Sequence, residues 1–225
     1  MQNKQINIFV VGSGKLANTL LTSNLSLPLC NISKWESKFQ ILEEKAIVIH
    51  AGSGRQLEEC FKFCSRTKSV FIELATGLKT EKEELDFPLI ICHNTSILVL
   101  KTLSILNAFG RDFNDYEISI IESHQSAKAT EPATAYAFAD SLKYPKDKIV
   151  SIRKDEIQRD IIRIPEEYLS KHAYHKISIR DGNGEIIIET KVLGHDSYVK
   201  GVKKIIEAVL KSNLENRKYT VLEII

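Results

Sequence analysis

The sequence predicts an α/β fold of two domains: an N-terminal domain on a parallel sheet, completed by the C-terminus (1–96 with 197–225), and an α+β domain with a mixed or antiparallel sheet (97–196). Three observations carry this. Short apolar runs alternate with segments of helical spacing up to about residue 96, and parallel strands need such crossovers. A glycine-rich turn follows the first of those runs. Beyond Thr95 the order changes to a long helix and then several strands in succession.

INIFVV (Ile6–Val11) is bounded by GSG and followed by KLANTLLTSN at helical spacing, an opening strand, turn and helix. LPLCNIS and AIVIHA (Ala46–Ala51) are the next strands. Leu57, Cys60, Phe61 and Cys64 then mark one helix face, and SVFIEL and PLIICH are further strands. After Thr95 come a long apolar helix (SILVLKTLSILNAF), a strand in YEISIIES, a helix after Pro132, and strands around IVSIR, AYHKISI and EIIIETKVL. DGNG (Asp181–Gly184) divides the last two as a hairpin turn, because such residues tolerate positive φ. YVKGVKKIIEAVL is helical, and KYTVLEII is expected as a final strand returning to the first sheet. No internal repeat or low-complexity linker interrupts the pattern.

A chain of 225 residues with 43% apolar and 27% charged residues has the composition of a globular protein. Its 31 basic and 29 acidic residues are spread along the whole length, which argues against nucleic acid as a partner. The N-terminus enters a strand pattern almost at once, and no apolar run approaches the roughly 18 residues of a membrane span. The expectation is a cytoplasmic protein with no membrane partner. Cys30, Cys60, Cys64 and Cys92 form no CxxC pair and are expected as reduced core thiols rather than a metal or redox site.

GSGKLA (Gly12–Ala17) fits G-x-G-x-x-A between a strand and a helix, the context in which the motif has a mechanism. Gly12 permits the tight turn, Gly14 lets backbone N–H groups approach a pyrophosphate, and Ala17 lets helix and sheet pack closely. With Ser13, Lys15 and Leu16 at the helix N-terminus, this is a Rossmann-like dinucleotide site. A glycine turn that serves strand-to-helix geometry alone is the alternative. The usual acidic ribose ligand belongs at the end of the second strand, where Asn31, Ser33 and Lys34 stand instead. An uncharged or basic site suits a 2′-phosphate, so the reading leans to NADPH over NADH, although Lys34 also suits a solvated surface. A second loop, AGSGR (Ala51–Arg55), either lies near the same cofactor or is a plain strand-to-helix turn. His50 and His93 end predicted strands beside these loops; either a cofactor contact or a buried, hydrogen-bonded histidine fits them.

In ESHQSAKATEPATA, His124 and Lys128 lie four residues apart after a strand and before a helix start. A His titrates near neutrality and a Lys ammonium can hold an anion or donate a proton, so the pair is a candidate acid–base and carboxylate site. A capping His and a surface Lys are the alternative. His172 and His175 flank Tyr174 with no third ligand at metal spacing and are expected as core or interface residues; no metal is expected.

This segment resembles the signature of dihydrodipicolinate reductases, in particular the plant-type form E-S-H-Q-x-x-K-x-D-T-S-G-T-A, which Glu122, Ser123, His124, Gln125, Lys128, Thr134 and Ala135 match without a gap. Further matches follow the family order: the glycine loop, ATG (Ala75–Gly77), CHNTS (Cys92–Ser96), PEEYLSKHAYH (Pro165–His175) and VLGHDSYVKG (Val192–Gly201). The resemblance implies an NAD(P)H-dependent reductase of dihydrodipicolinate in lysine biosynthesis, acting on a small dicarboxylate and assembled as a homotetramer. It implies His124 as acid–base residue and Lys128 as proton donor, with Gln125 replacing a second His. Ala133 and Thr134 would offer N–H groups to a substrate carboxylate at a helix N-terminus, and His195 stands where the plant-type branch tends to carry Arg. Leu74, Ala75 and Thr76, with Cys92, His93, Asn94 and Thr95, would line the nicotinamide side. Thr130, Pro132 and Ala133 depart from the family's Asp, Ser and Gly. The departures keep two rivals in view: a reductase of another oxo or imino acid, and a non-catalytic nucleotide-binding regulator. Retention of both His124 and Lys128 argues against the second.

Overall fold

The computed structural model describes residues 5–23, 25–128 and 131–225. In chain order the elements are β1 (Ile6–Val11), α1 (Lys15–Thr22), β2 (Cys30–Lys34), β3 (Ala46–His50), α2 (Leu57–Thr67), β4 (Val70–Glu73), β5 (Leu89–Ile91), α3 (Ile97–Phe109), β6 (Glu117–His124), α4 (Ala133–Ser141), β7 (Val150–Ile152), α5 (Asp155–Asp160), β8 (His172–Asp181), β9 (Gly184–Leu193), α6 (Asp196–Lys211) and β10 (Lys218–Thr220). Contacts divide the chain into two compact units, Met1–Thr95 with Tyr198–Ile225, and Ser96–Ser197.

The first unit is built on a six-stranded parallel sheet in the order β10-β5-β4-β3-β1-β2. β3 is buried along its whole length, as expected of a strand covered on both faces. The chain leaves β1 for β2 on one side and then crosses to β3 on the other. The carboxyl ends of β1 and β3 therefore form the point at which strand order reverses, where open parallel sheets bind their ligands.

Phe9 stacks on Phe39 at 4.6 Å between ring centroids, and Trp35 and Phe63 meet Phe9 edge-on. α2 presses Leu57, Cys60, Phe61, Phe63 and Cys64 into the same core. All four cysteines are free, and burial pushes the Cys60, Cys64 and Cys92 thiols well up, Cys92 to about 12, so they pack as apolar groups. The last strand is shorter than expected. Only Lys218–Thr220 pairs with β5, because Thr220 and Glu223 form a reciprocal capping box that turns Val221–Glu223 into one turn of 3-10 helix.

The second unit carries a mixed four-stranded sheet, β7-β6-β8-β9, in which β6 runs parallel to β7 and antiparallel to β8. β8 and β9 form the predicted hairpin, with positive φ at Gly182, the first of its two turn residues. α3 and α4 approach closely at Gly110, where a Cβ would sit 2.7 Å from the Ser141 carbonyl oxygen. No helix among the described residues is long and apolar enough to cross a membrane.

Candidate active site

In the first unit, a cleft of about 1070 Å³ opens at the carboxyl ends of β1, β2 and β3. Gly12, Ser13, Gly14 and Lys34 line it together with Trp35, Glu36, Ser37, His50 and the whole second glycine loop to Arg55. The two glycine loops touch: a Cβ on Gly12 would lie 2.4 Å from the Ala51 carbonyl oxygen, and Gly12 adopts φ +128°. Gly12→Ala therefore forces both loops apart and should cost about 1–3 kcal/mol in backbone strain. A lower melting temperature together with lost dinucleotide binding by calorimetry is the expected result.

Gly14 caps α1, whose first turn (Lys15 to Asn18) carries no acidic residue, so its free N–H groups and dipole favour an anion. The Asn18 side chain fastens the loop by donating to the Ser13 carbonyl at 3.2 Å. On the opposite rim Glu59 holds Trp35, Ser37 and Gln40 through its two carboxylate oxygens, at 2.7–3.0 Å. Lys15 and Leu16 begin α1, and Ser33 pairs with Phe9 in the sheet; these three are not among the lining residues.

One sequence reading needs correction. β2 ends at Lys34, and Glu36, two residues on, turns into the cleft wall with its carboxylate 2.8 Å from Lys38 Nζ. The strand end thus does offer an acid; it lies one residue past the buried Trp35, in extended chain that leads into a short 3-10 helix, Ser37–Ile41.

The segments expected on the nicotinamide side follow β4 and β5. Leu74 N–H donates to the His50 carbonyl, Ala75 N–H to the Glu73 carboxylate, and His93 Nδ1 to the Ala75 carbonyl at 3.1 Å. The Cys92 thiol lies 3.2 Å from the Asn94 carbonyl. Thr76 sits in the exposed turn.

In the second unit the centre is a buried carboxylate. Glu122 and His124 are two residues apart on β6 and so share a face. Glu122 Oε2 accepts from His124 Nδ1 at 2.6 Å, and Oε1 from Arg153 at 2.5 Å. Burial alone would raise the Glu122 pKa, but hydrogen bonds from His124, Arg153 and Ser151 and the charge on His124 outweigh it and bring it down to about 2. Gln158, wholly buried, donates to the His124 and Ile152 carbonyls at 2.7 and 3.2 Å, pinning the end of β6 to the end of β7.

His175 lies opposite Glu122 in the β6–β8 register, its ring 5.7 Å from that of His124 and edge-on to it. Burial, reinforced by the His124 charge and opposed by Glu122, holds its pKa at about 3, so it stays neutral. His172 points to the other face, Nε2 paired with Ser123 and Nδ1 with the Tyr168 and Leu169 carbonyls. Both are core histidines.

Gln125 and Lys128 close a turn through the Lys128 N–H and Gln125 carbonyl at 3.0 Å, so the four-residue spacing is one β-turn. Burial lowers the Lys128 pKa; the Glu122 charge opposes this and the Arg153 charge adds to it. Thr130 lies outside the described residues. Ala133 departs from expectation: its N–H donates to the Glu131 carbonyl at 3.0 Å, because Pro132 at the N-cap of α4 folds the chain into a tight turn. Thr134 follows in the first turn of α4, and His195 is half-buried just before α6.

A family model described as dihydrodipicolinate reductase, C-terminus, matches residues 98–225, more than half of the chain. The chain belongs to the dihydrodipicolinate reductase family. It is 28% identical over 130 residues to 4-hydroxy-tetrahydrodipicolinate reductase 2, chloroplastic, of Arabidopsis thaliana, covering 52% of this chain and 36% of that protein. It is 29% identical over 109 residues to the plant's reductase 1, covering 45% and 30%. The chain thus spans about a third of the length of these curated relatives. Dihydrodipicolinate reductase of Paenisporosarcina sp. TG-14, solved with dipicolinate bound, shares the fold, with a TM-score of 0.64 over 97% of this chain and 98% of that one at 15% identity.

For this reductase family member the residues present fit a pyridine dinucleotide. Gly14 leaves open space at the helix N-terminus, where a Cβ would meet only the Ala51 carbonyl at 4.0 Å, and Lys34 and Arg55 supply cations at the cleft. The Thr95 hydroxyl is buried without a hydrogen-bond partner among the described residues, outside the residues that line this cleft. Among the described residues no cluster of three His, Cys, Asp or Glu could hold a metal. Sequence reasoning missed Arg153, Gln158 and the part played by Glu122. The last had a readable signal, a carboxylate two residues before the histidine on one strand.

Proposed function

We propose that the chain catalyses the NAD(P)H-dependent reduction of dihydrodipicolinate (4-hydroxy-tetrahydrodipicolinate) to tetrahydrodipicolinate in the diaminopimelate and lysine pathway. The observation that carries this reading is the Glu122–His124 pair at the end of β6, one β-turn from Lys128, within the family's signature. The bound dinucleotide supplies the hydride. The glycine loops and the N-terminus of α1 bind its pyrophosphate.

His124 donates through Nδ1 to Glu122, which leaves Nε2 to exchange a proton or hold a substrate carboxylate. Lys128 Nζ, its pKa lowered by burial, is the proton donor that completes reduction of the substrate ring. The Lys128 ammonium, with the Arg153 guanidinium behind it, suits a dicarboxylate and favours the negative charge that grows as hydride arrives. Gln125, Thr134 and His195 complete the substrate contacts in this reading, Thr134 from the helix N-terminus.

Lys34 and Arg55 favour NADPH, whereas Glu36 would favour a free ribose 2′-hydroxyl and NADH. Use of both nucleotides follows, with NADPH preferred wherever Glu36 stays paired to Lys38. A homotetramer in the cytoplasm belongs to the same reading. The family resemblance supports the assembly, as do large apolar side chains exposed on the second unit at Leu98, Ile105, Phe109, Ile186 and Ile187.

The test is a coupled assay that follows nicotinamide absorbance with enzymatically generated dihydrodipicolinate and each nucleotide in turn. Substrate-dependent oxidation is expected with both. The replacement of Ser and Gly by Pro132 and Ala133 favours a second reading, reduction of a simpler oxo or imino acid. A higher kcat/KM for 2-oxo acids than for dihydrodipicolinate would decide for it, and nucleotide binding without any turnover would decide for a regulator.

A further inference from the structure

His50 and Glu73 end adjacent strands, in register across β3 and β4, and both are buried at the floor of the first unit. Neither belongs to the glycine motif or to the acid–base site. Glu73 uses both carboxylate oxygens. Oε1 accepts from His50 Nδ1 at 2.7 Å and from the Ala75 backbone N–H at 2.9 Å, and Oε2 accepts from the buried Thr80 hydroxyl at 3.0 Å.

The pair thus reaches three strand ends. On β3, the His50 ring lies directly under the second glycine loop: a Cβ on Gly52 would sit 3.2 Å from His50 Nε2 and equally close to Gly12 Cα. After β4, the carboxylate fixes the Ala75–Gly77 turn from within. After β5, His93 donates to the Ala75 carbonyl while its other nitrogen lies 3.6 Å from Glu81, whose carboxylate also accepts from the Gly77 N–H. A carboxylate buried this deeply persists only when its lone pairs are filled, so these bonds hold in concert.

We propose that Glu73, through His50, Ala75 and Thr80, is the positioning residue for the nicotinamide half of the dinucleotide. The ADP half of a dinucleotide is held at the cleft lined by the two glycine loops and the Lys34–Ser37 rim, which of the three Glu73 partners only His50 borders, while Ala75 and Thr80 lie outside it. Glu73 instead shapes the ends of β3, β4 and β5, on the other side of the strand-order reversal. Its removal leaves the His50 ring, the Ala75 N–H and the Thr80 hydroxyl without their shared acceptor, and the three strand ends lose their common anchor.

This rests on the function proposed above, and the experiment separates the two. Calorimetric titration with NADH, NADPH and ADP is carried out on wild type, Glu73→Ala and Glu73→Gln, with energy transfer from the chain's one tryptophan, Trp35 at the cleft, as a second readout. Glu73→Ala is expected to weaken the dinucleotides at least tenfold while ADP stays within about twofold. Gln can accept from Ala75 and a neutral His50 and donate to Thr80, so Glu73→Gln is expected to restore dinucleotide affinity to within about threefold. KM for the dinucleotide should follow the same order. Should Glu73→Ala fail to fold, Thr80→Val, which removes one donor at constant volume, is expected to weaken the dinucleotides about threefold with ADP unchanged.

Dinucleotide affinity unchanged in Glu73→Ala, or in Thr80→Val where that stands in, overturns the inference, as does an equal loss of ADP and dinucleotide in a folded variant. A wild type that binds no dinucleotide would instead overturn the proposed function, and this inference with it.

Discussion

Replacing Lys128 with alanine is expected to lower kcat at least tenfold, about 1.4 kcal/mol of transition-state stabilisation, and arginine at the same position separates the two jobs the lysine can do. Burial lowers the Lys128 pKa and Arg153 adds to the effect, against the pull of Glu122, so the ammonium gives up a proton more readily than a surface lysine does. An arginine keeps the positive charge that holds a substrate carboxylate but cannot release a proton. If Lys128 donates the proton, Lys128→Arg keeps a near-normal KM and a kcat as low as that of Lys128→Ala. If it only anchors substrate, Lys128→Arg restores both constants and Lys128→Ala raises KM alone. Wild-type turnover in Lys128→Ala with saturating nucleotide would remove Lys128 from the chemistry.

The parts of this molecule that could be read from the sequence are those set by local rules. Alternation along YEISIIES placed a strand, the DGNG turn placed the hairpin, and GSGKLA placed the glycine loop between β1 and α1. What could not be read depends on long-range pairing. Arg153 reaches Glu122 across 31 residues and Gln158 reaches the His124 carbonyl across 34, because β7 runs parallel beside β6, a choice that no periodicity records. His50 and Glu73 meet for the same reason, across the β3–β4 register. Glu36 escapes the strand-end rule for a local reason: β2 stops at Lys34, but the chain stays extended through the buried Trp35 and so brings the next residue to the cleft wall. The Ala133 N–H was not legible either, because Pro132 at the N-cap bends the chain until that N–H meets the Glu131 carbonyl, a turn that the family pattern does not record.

Glu122→Gln is expected to have two consequences that share one cause. Glutamine offers one oxygen and one NH2 group where Glu122 has two acceptors facing two donors, His124 Nδ1–H and the Arg153 guanidinium. If the NH2 group faces Arg153, donor meets donor. If it faces His124, the imidazole must move its proton to Nε2, and the nitrogen left for chemistry changes role. Either way kcat should fall at least about tenfold with an altered pH–rate profile, a fraction of what a positioned acid–base group contributes; nitrogen NMR of the imidazole reads the tautomer directly. The second consequence is in acid stability. The Glu122 pKa is about 2 in the folded protein against an ordinary 4.5, so between those values the unfolded chain binds the extra proton. The stabilisation, about 3 kcal/mol at most from a shift of this size, is fully present above pH 4.5 and is lost as pH falls through 2. Glu122→Gln lacks it at every pH. Urea unfolding at pH 7, 4 and 3 should therefore show wild type losing stability more steeply than the variant, and parallel curves together with an unchanged pH–rate profile would mean that Glu122 neither orients His124 nor holds it by charge.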